Sequence, residues 1–182
     1  MQPEKTFQKI IDLLNSAPAE FSHPFRLFTL ATTNPQNEPE ARMIVLRDFD
    51  SENMTLTFYC DKRSPKVFEL QNTPQCSMVF YHQELQIQLR IKAFANIIDD
   101  KEEHWSKISE YNKINYATTL SPGDAIEDYI AKKEECEDLA YSNFCIVNCK
   151  IHSIDYLKLH KEYHKRIKFE RKSDWQGQFI VP

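Results

Sequence analysis

The chain is nearly devoid of glycine: Gly123 and Gly177 are the only two among 182 residues. Neither a glycine-rich dinucleotide loop nor a Walker A loop can be built from it, so any phosphate it holds must be met by side chains and a helix N-terminus. Long apolar runs are also missing. None approaches the roughly 18 residues of a membrane-spanning helix, and the first residues lack the basic-then-apolar order of a secretory leader. No membrane partner and a cytoplasmic location are therefore expected. A large excess of either charge is missing as well. A formal net charge of -4 with 27% charged residues gives no general attraction to nucleic acid, and none is expected as a partner. The five cysteines (Cys60, Cys76, Cys136, Cys145, Cys149) have no paired CxxC spacing. That pattern favours reduced, buried thiols over a disulfide framework. Cys145 and Cys149 have no second ligand pair nearby, so no metal is expected.

What is present fits one domain over residues 1–182, with 41% apolar residues and enough length to bury roughly 70% of the unfolded chain's surface. Phe7, Ile10, Ile11 and Leu14 recur at helical spacing over residues 3–15, before Pro18. Strands are predicted at 25–32, 41–47 and 54–60, separated by turns at 34–39 and 50–53, and three such strands suggest an antiparallel meander. A further strand covers 75–81. Strict alternation follows from Leu85 to Ile97, with Gln88 and Arg90 on the polar face. Residues 100–141 read as a helical insert whose second helix spans Asp124–Leu139 and carries Ile126, Tyr129 and Ile130. Strands return at 144–154 and 178–181. The expected class is mainly β with flanking helices (α+β).

The chemistry concentrates between Glu40 and Ile98. Arg42 and Arg47 bracket an apolar strand. Ser64 suits an N-cap and Pro65 the first helical position, so the helix start with Arg63 and Lys66 beside it could bind an anion. A plain surface helix with solvated lysines is the alternative, and a solvent-facing sheet surface is the alternative for Gln88 and Arg90. The basic stretch 158–172 allows a nucleic-acid patch, which the mild acidity opposes. It also allows a His160/His164 metal pair, but Glu162 does not complete an HExxH motif, and on a strand the two histidines would stand too far apart to chelate.

Together these segments resemble the pyridoxamine 5'-phosphate oxidase family of FMN-binding split barrels. Arg42-Met43-Ile44-Val45-Leu46-Arg47 is similar to the family's Arg-x-Val-Leu-x-Lys/Arg strand. Tyr59-Cys60-Asp61-Lys62-Arg63-Ser64-Pro65-Lys66 is similar to its Tyr-Thr-Asp-x-Arg-Ser-x-Lys segment. Gln88 stands at its flavin-contacting glutamine, and Ile154-Asp155-Tyr156, His164-Lys165-Arg166 and Trp175 to Pro182 resemble its C-terminal motifs. The resemblance implies an antiparallel split β-barrel and FMN as cofactor, with a homodimer that holds FMN at its interface. Arg42, Met43, Ile44, Val45, Leu46, Tyr59, Cys60, Arg63, Ser64, Lys66, Gln88 and Arg166 would be its cofactor-binding residues. It leaves Arg47 and His164 to face a small-molecule substrate and implies an FMN-dependent oxidoreductase; no catalytic residue is assigned. The departures matter equally. Pro65 replaces an arginine, Leu157 a tryptophan and Glu162 the arginine that meets the vitamin substrate, and the substrate-phosphate residues have no clean counterpart in 105–121. A glutamate there opposes a phosphorylated substrate. The alternatives are a carrier of FMN, haem or another flat cofactor without turnover, and a flavin- or nicotinamide-linked reductase.

Overall fold

The computed structural model describes residues 2–126 and 136–182. Among these, nine antiparallel strands form one sheet: β1 (Leu27–Thr33), β2 (Pro39–Val45), β3 (Asp48–Asp50), β4 (Thr55–Asp61), β5 (Gln75–His82), β6 (Ile87–Ile98), β7 (Phe144–Lys158), β8 (Lys165–Glu170) and β9 (Gly177–Ile180). Their order is β2-β1-β5-β6-β7-β4-β3, with β8 added to β7 and β9 to β8. β1 and β2 form the expected hairpin. The meander then fails, because β4 pairs with β3 and β7 instead of β2. The turn at 50–53 joins the unforeseen β3 to β4. The link at Leu46–Arg47 carries the chain across the open end of the sheet, where the Leu46 N–H donates to the Arg26 carbonyl (2.7 Å) and the Arg47 N–H to that of Thr57 (2.9 Å).

The inner face is made by period-two alternation. Ile87, Leu89, Ile91 and Ala93 of β6 are fully buried, and Phe28, Phe58 and Phe80 meet them from β1, β4 and β5. The Phe28 and Phe80 rings stack at 4.9 Å. A β-bulge falls between Lys92 and Ala93, leaving His152 of β7 as the extra residue. Helix α1 (Pro3–Ser16) follows its predicted range and docks through Phe7 on Phe169 (5.2 Å) and Trp175 (5.6 Å). Gly177 lies against this helix so closely that a Cβ there would stand 2.6 Å from Pro3 Cβ and 2.6 Å from Phe169 Cε1. Helix α2 (Pro65–Asn72) starts at Ser64, as its sequence signals indicate.

The insert is less helical than expected. It contains α3 (Glu102–Ser106), α4 (Glu110–Lys113), a 3-10 turn at Ile114–Tyr116 and α5 (Glu137–Asn143). Residues 124–126 are not helical and α5 begins at Glu137, which corrects the Asp124–Leu139 expectation at both ends; Tyr129 and Ile130 lie outside the described residues. What holds the insert is a second apolar cluster of Trp105, Ala117, Ala140, Phe144 and Ile146 over the outside of β7. The Trp105 and Tyr116 rings sit 5.3 and 5.2 Å from Phe144. Asn143 Nδ2 ties it down by donating to the carbonyls of Tyr116 (2.9 Å) and Thr118 (3.2 Å). Apolar contact with the sheet, rather than helical periodicity, fixes this segment.

Candidate functional site

The start of α2 is poised for an anion. Ser64 occupies the N-cap, yet its hydroxyl does not cap: it donates to the Asp61 carbonyl (2.6 Å) and accepts from Lys66 Nζ (3.1 Å). The first-turn N–H groups thus keep no side-chain partner. Lys66 is half-buried and has no carboxylate partner among the described residues. Arg63 behaves differently. Its guanidinium grips Asp61 through Nε (3.0 Å) and Nη2 (2.6 Å) and donates from Nη1 to the Thr119 carbonyl (3.1 Å). Arg63 is therefore committed to bracing the insert. Cys60, one turn of chain upstream, points into the barrel opposite Cys145. Its hydrogen bond with that thiol and its burial push the Cys60 thiol well above its ordinary value, so it stays protonated.

Arg42 projects from β2 toward α2, where Nη2 pairs with Glu69 Oε2 at 2.9 Å and Nη1 donates to the Thr32 hydroxyl. Thr32 in turn donates to Glu69 (2.5 Å), whose side chain is 5% exposed. Ile44 of the same strand and Leu46 just beyond its end fill the core, while Met43 is 61% exposed on the outer face. Among the described residues β2 pairs only with β1, so one edge of the backbone at Met43–Val45 faces no described strand.

On the outer face, cross-strand register sets Gln88, Leu157, Arg166 and Ile180 in one row and Arg90, Asp155 and Lys168 in the next. Asp155 receives Arg166 through Nε–Oδ1 (2.9 Å) and Nη2–Oδ2 (2.7 Å), and Arg90 through Nη2–Oδ2 (2.5 Å). Burial pushes the Asp155 carboxyl above its ordinary range, against the pull of Arg90.

Arg47 lies elsewhere, in a cavity of about 410 Å³ with Arg26, Tyr59, Lys107, Asn112 and Tyr116 on its walls. Arg47 is half-buried and, among the described residues, forms no ion pair; its guanidinium sits 5.6 Å from the Tyr59 ring centroid. Lys107 pairs with Glu103 (2.6 Å), and Arg26 donates to the Pro18 carbonyl (2.5 Å). The Tyr59 hydroxyl shares a hydrogen bond with His104 Nδ1 (2.9 Å). Burial raises the Tyr59 phenol above its ordinary value and pushes that of Tyr116 up to about 12. His164 does not join this cavity. It is exposed in the loop before β8, where its Nδ1 accepts from the His160 N–H (3.1 Å). That loop, not a strand, brings the two histidines together, and no group of three or more metal-ligating side chains occurs among the described residues.

Apart from His164, which joins none of them, the predicted residues thus fall into three groups: the α2 start with the neighbouring β2 strand, the outer-face row with Gln88 and Arg166, and the Arg47 cavity. Arg26, Lys107, Asn112 and Tyr116 escaped sequence reasoning because they come from separate segments that carry no motif.

Residues 6–99 match the family model described as pyridoxamine 5'-phosphate oxidase, FMN-binding domain. The chain belongs to this family. A pyridoxine/pyridoxamine 5'-phosphate oxidase of Nostoc punctiforme is 31% identical over 107 residues, or 59% of this chain and 44% of the relative. One from Pelagibacter ubique is 26% identical over 166 residues, covering 83% and 77%. The chain spans less than half the length of the first curated relatives it matches, 44%, 35% and 35%. Among solved structures, a pyridoxamine 5'-phosphate oxidase-related, FMN binding protein of Nostoc punctiforme superposes with a TM-score of 0.75 at 20% identity over 96% of both chains. PhzG from Burkholderia lata, solved with tetrahydrophenazine-1-carboxylic acid, gives 0.76 at 20% identity over 100% of this chain and 93% of its own. These likenesses establish the mostly antiparallel split-barrel fold that the family shares.

Proposed function

We propose that the protein is an FMN-dependent oxidoreductase acting on a small anionic substrate, in the cytoplasm, as a homodimer with the cofactor at the interface. One observation carries the reading. The arginines that pair do so with carboxylates of their own neighbourhood, whereas Lys66 at the uncapped helix start and Arg47 in the cavity are half-buried cations without a carboxylate among the described residues. Such groups are poorly solvated and await an anion.

The donor set suits FMN. Lys66, the first-turn N–H groups of α2 and the Glu69-anchored Arg42 would receive a phosphate, with Ser64 orienting Lys66. The unpaired backbone edge at Met43–Val45, with Ile44 and Leu46 holding that strand to the core, offers donors and acceptors to a flat ring. Tyr59 and Cys60 would flank it through main-chain atoms, and Gln88 and Arg166 would approach from the outer face of a second subunit. When bound, the flavin supplies the redox chemistry. The chain's own task is to orient the substrate, with Arg47 as its anionic anchor and Arg26 and Lys107 raising the local positive charge.

The dimer reading rests on the outer face, where Leu27, Met43, Val79 and Tyr81 are 50%, 61%, 37% and 44% exposed on adjacent strands. Pyridoxamine phosphate is one candidate substrate; Arg26, Arg47 and Lys107 would have to stand in for the arginine that Glu162 replaces. Reconstitution with FMN, followed by anaerobic mixing with a panel of anionic amines and with a nicotinamide cofactor, tests the reading. Flavin bleaching by one of them supports it. Uptake of FMN with no reductant found argues for a carrier, and preference for haem would overturn the flavin assignment.

A further inference from the structure

Arg166 reaches the outer face already held. Its Nε and Nη2 are engaged by the two oxygens of Asp155, at 2.9 and 2.7 Å, which locks the plane of the guanidinium along one edge. Asp155 is itself braced from the opposite side by Arg90 (2.5 Å), from a neighbouring strand in direct register. The Asp155 side chain is 14% exposed, against 23% for Arg166 and 50% for Arg90. Among the described residues, the outward Nη1 of Arg166 meets only the Val181 carbonyl, at 3.4 Å. Two guanidiniums on one carboxylate leave the trio with a net positive charge. An arginine that served stability alone would have no need of a second cation crowding its partner.

We propose that Asp155 is a positioning residue that presents the outward Nη1 edge of Arg166 to an acceptor atom of the flavin, and that Arg90 keeps Asp155 in register. This rests on the flavin reading above. The role needs no movement on binding: the strand register of β6, β7 and β8 pre-sets the donor, so little side-chain freedom is lost when the ligand arrives. It also accounts for a partly buried carboxylate, pushed up by burial, on a face otherwise rich in cations (Arg90, Lys92, Arg166 and Lys168).

The test has two readouts. In the apo protein, the Arg166 Nε–H resonance should be sharp and slow to exchange in wild type and in Asp155→Glu, and averaged in Asp155→Asn. FMN titration should then show Asp155→Asn binding about tenfold more weakly, with Asp155→Glu recovering most of the loss. In an Arg166→Ala background Asp155→Asn should add nothing, since the two residues act as one unit. Equal losses in both backgrounds, or an Arg166 resonance indifferent to residue 155, would overturn the proposal. If the resonance depends on Asp155 but wild type takes up no FMN, the flavin reading fails and the proposed role toward it fails with it; the resonance shows which of the two was at fault.

Discussion

Replacing Arg42 by alanine should weaken the fold as well as the proposed phosphate site. The guanidinium is the partner of Glu69 (2.9 Å), whose side chain is only 5% exposed, and of Thr32. Its removal strands a carboxylate in the interior with one hydroxyl donor left. Breaking a fully buried pair by deleting one member costs about 3–5 kcal/mol. Arg42 retains 22% exposure, and water can reach the vacated space, so about 2–3 kcal/mol is the reasonable figure here. In a chain of this size that corresponds to a fall in Tm of about 4–12 °C. The assay is thermal unfolding of the apo protein by circular dichroism, which keeps ligand linkage out of the result. The double variant Arg42→Met, Glu69→Gln removes both charges and keeps the acceptor for Thr32. It should recover most of the lost stability while its FMN affinity stays low. A single variant melting within about 2 °C of wild type would refute the premise that Glu69 depends on Arg42. A double variant that binds FMN normally would remove Arg42 from the phosphate site.

Arg47→Ala should leave apo stability and FMN affinity unchanged and weaken an anionic substrate about 10–100-fold, read as a rise in KM or in the Kd of a competitive anion. Gly177→Ala drives a Cβ into Pro3 and Phe169 at 2.6 Å, and should cost about 1–3 kcal/mol in urea unfolding by lifting the start of α1. Tyr116 titrates at about 12 in the folded protein and at about 10 unfolded. The unfolded chain therefore loses its proton first as pH rises. The stability tied to this phenol is intact below pH about 10 and declines toward pH about 12, by up to about 2–3 kcal/mol. Tyr116→Phe should flatten that decline in alkaline denaturant titrations.

The elements most legible in the sequence are those governed by local rules. Ser64-Pro65 marks the start of α2 because cap and proline preferences are set within one turn, and the alternation from Leu85 to Ile97 marks β6 because one face is wholly core. Strand order was not legible: nothing local distinguishes β2 from β7 as the neighbour of β4, since Leu56, Phe58 and Cys60 would pack against either. The insert misled for a related reason. Among the described residues its helical character is confined to the short α3, α4 and α5, and burial against Phe144 and Ile146 decides its path. At the site, motif residues with a charge and a neighbouring cap (Arg42, Ser64, Lys66) were identifiable. The Arg47 cavity was not, because Arg26, Lys107 and Tyr116 come from distant segments that meet only in the folded chain. Arg63 differs from these: its guanidinium is engaged by its own Asp61, a pairing that the motif alone does not reveal.

The most direct test of the central claim is titration of purified apo protein with FMN, followed by quenching of flavin fluorescence, alongside Lys66→Met. Stoichiometric uptake by wild type and a loss of about tenfold or more in the variant is the predicted result. No uptake by wild type, or uptake indifferent to Lys66, would contradict the assignment of the α2 start as the flavin phosphate site.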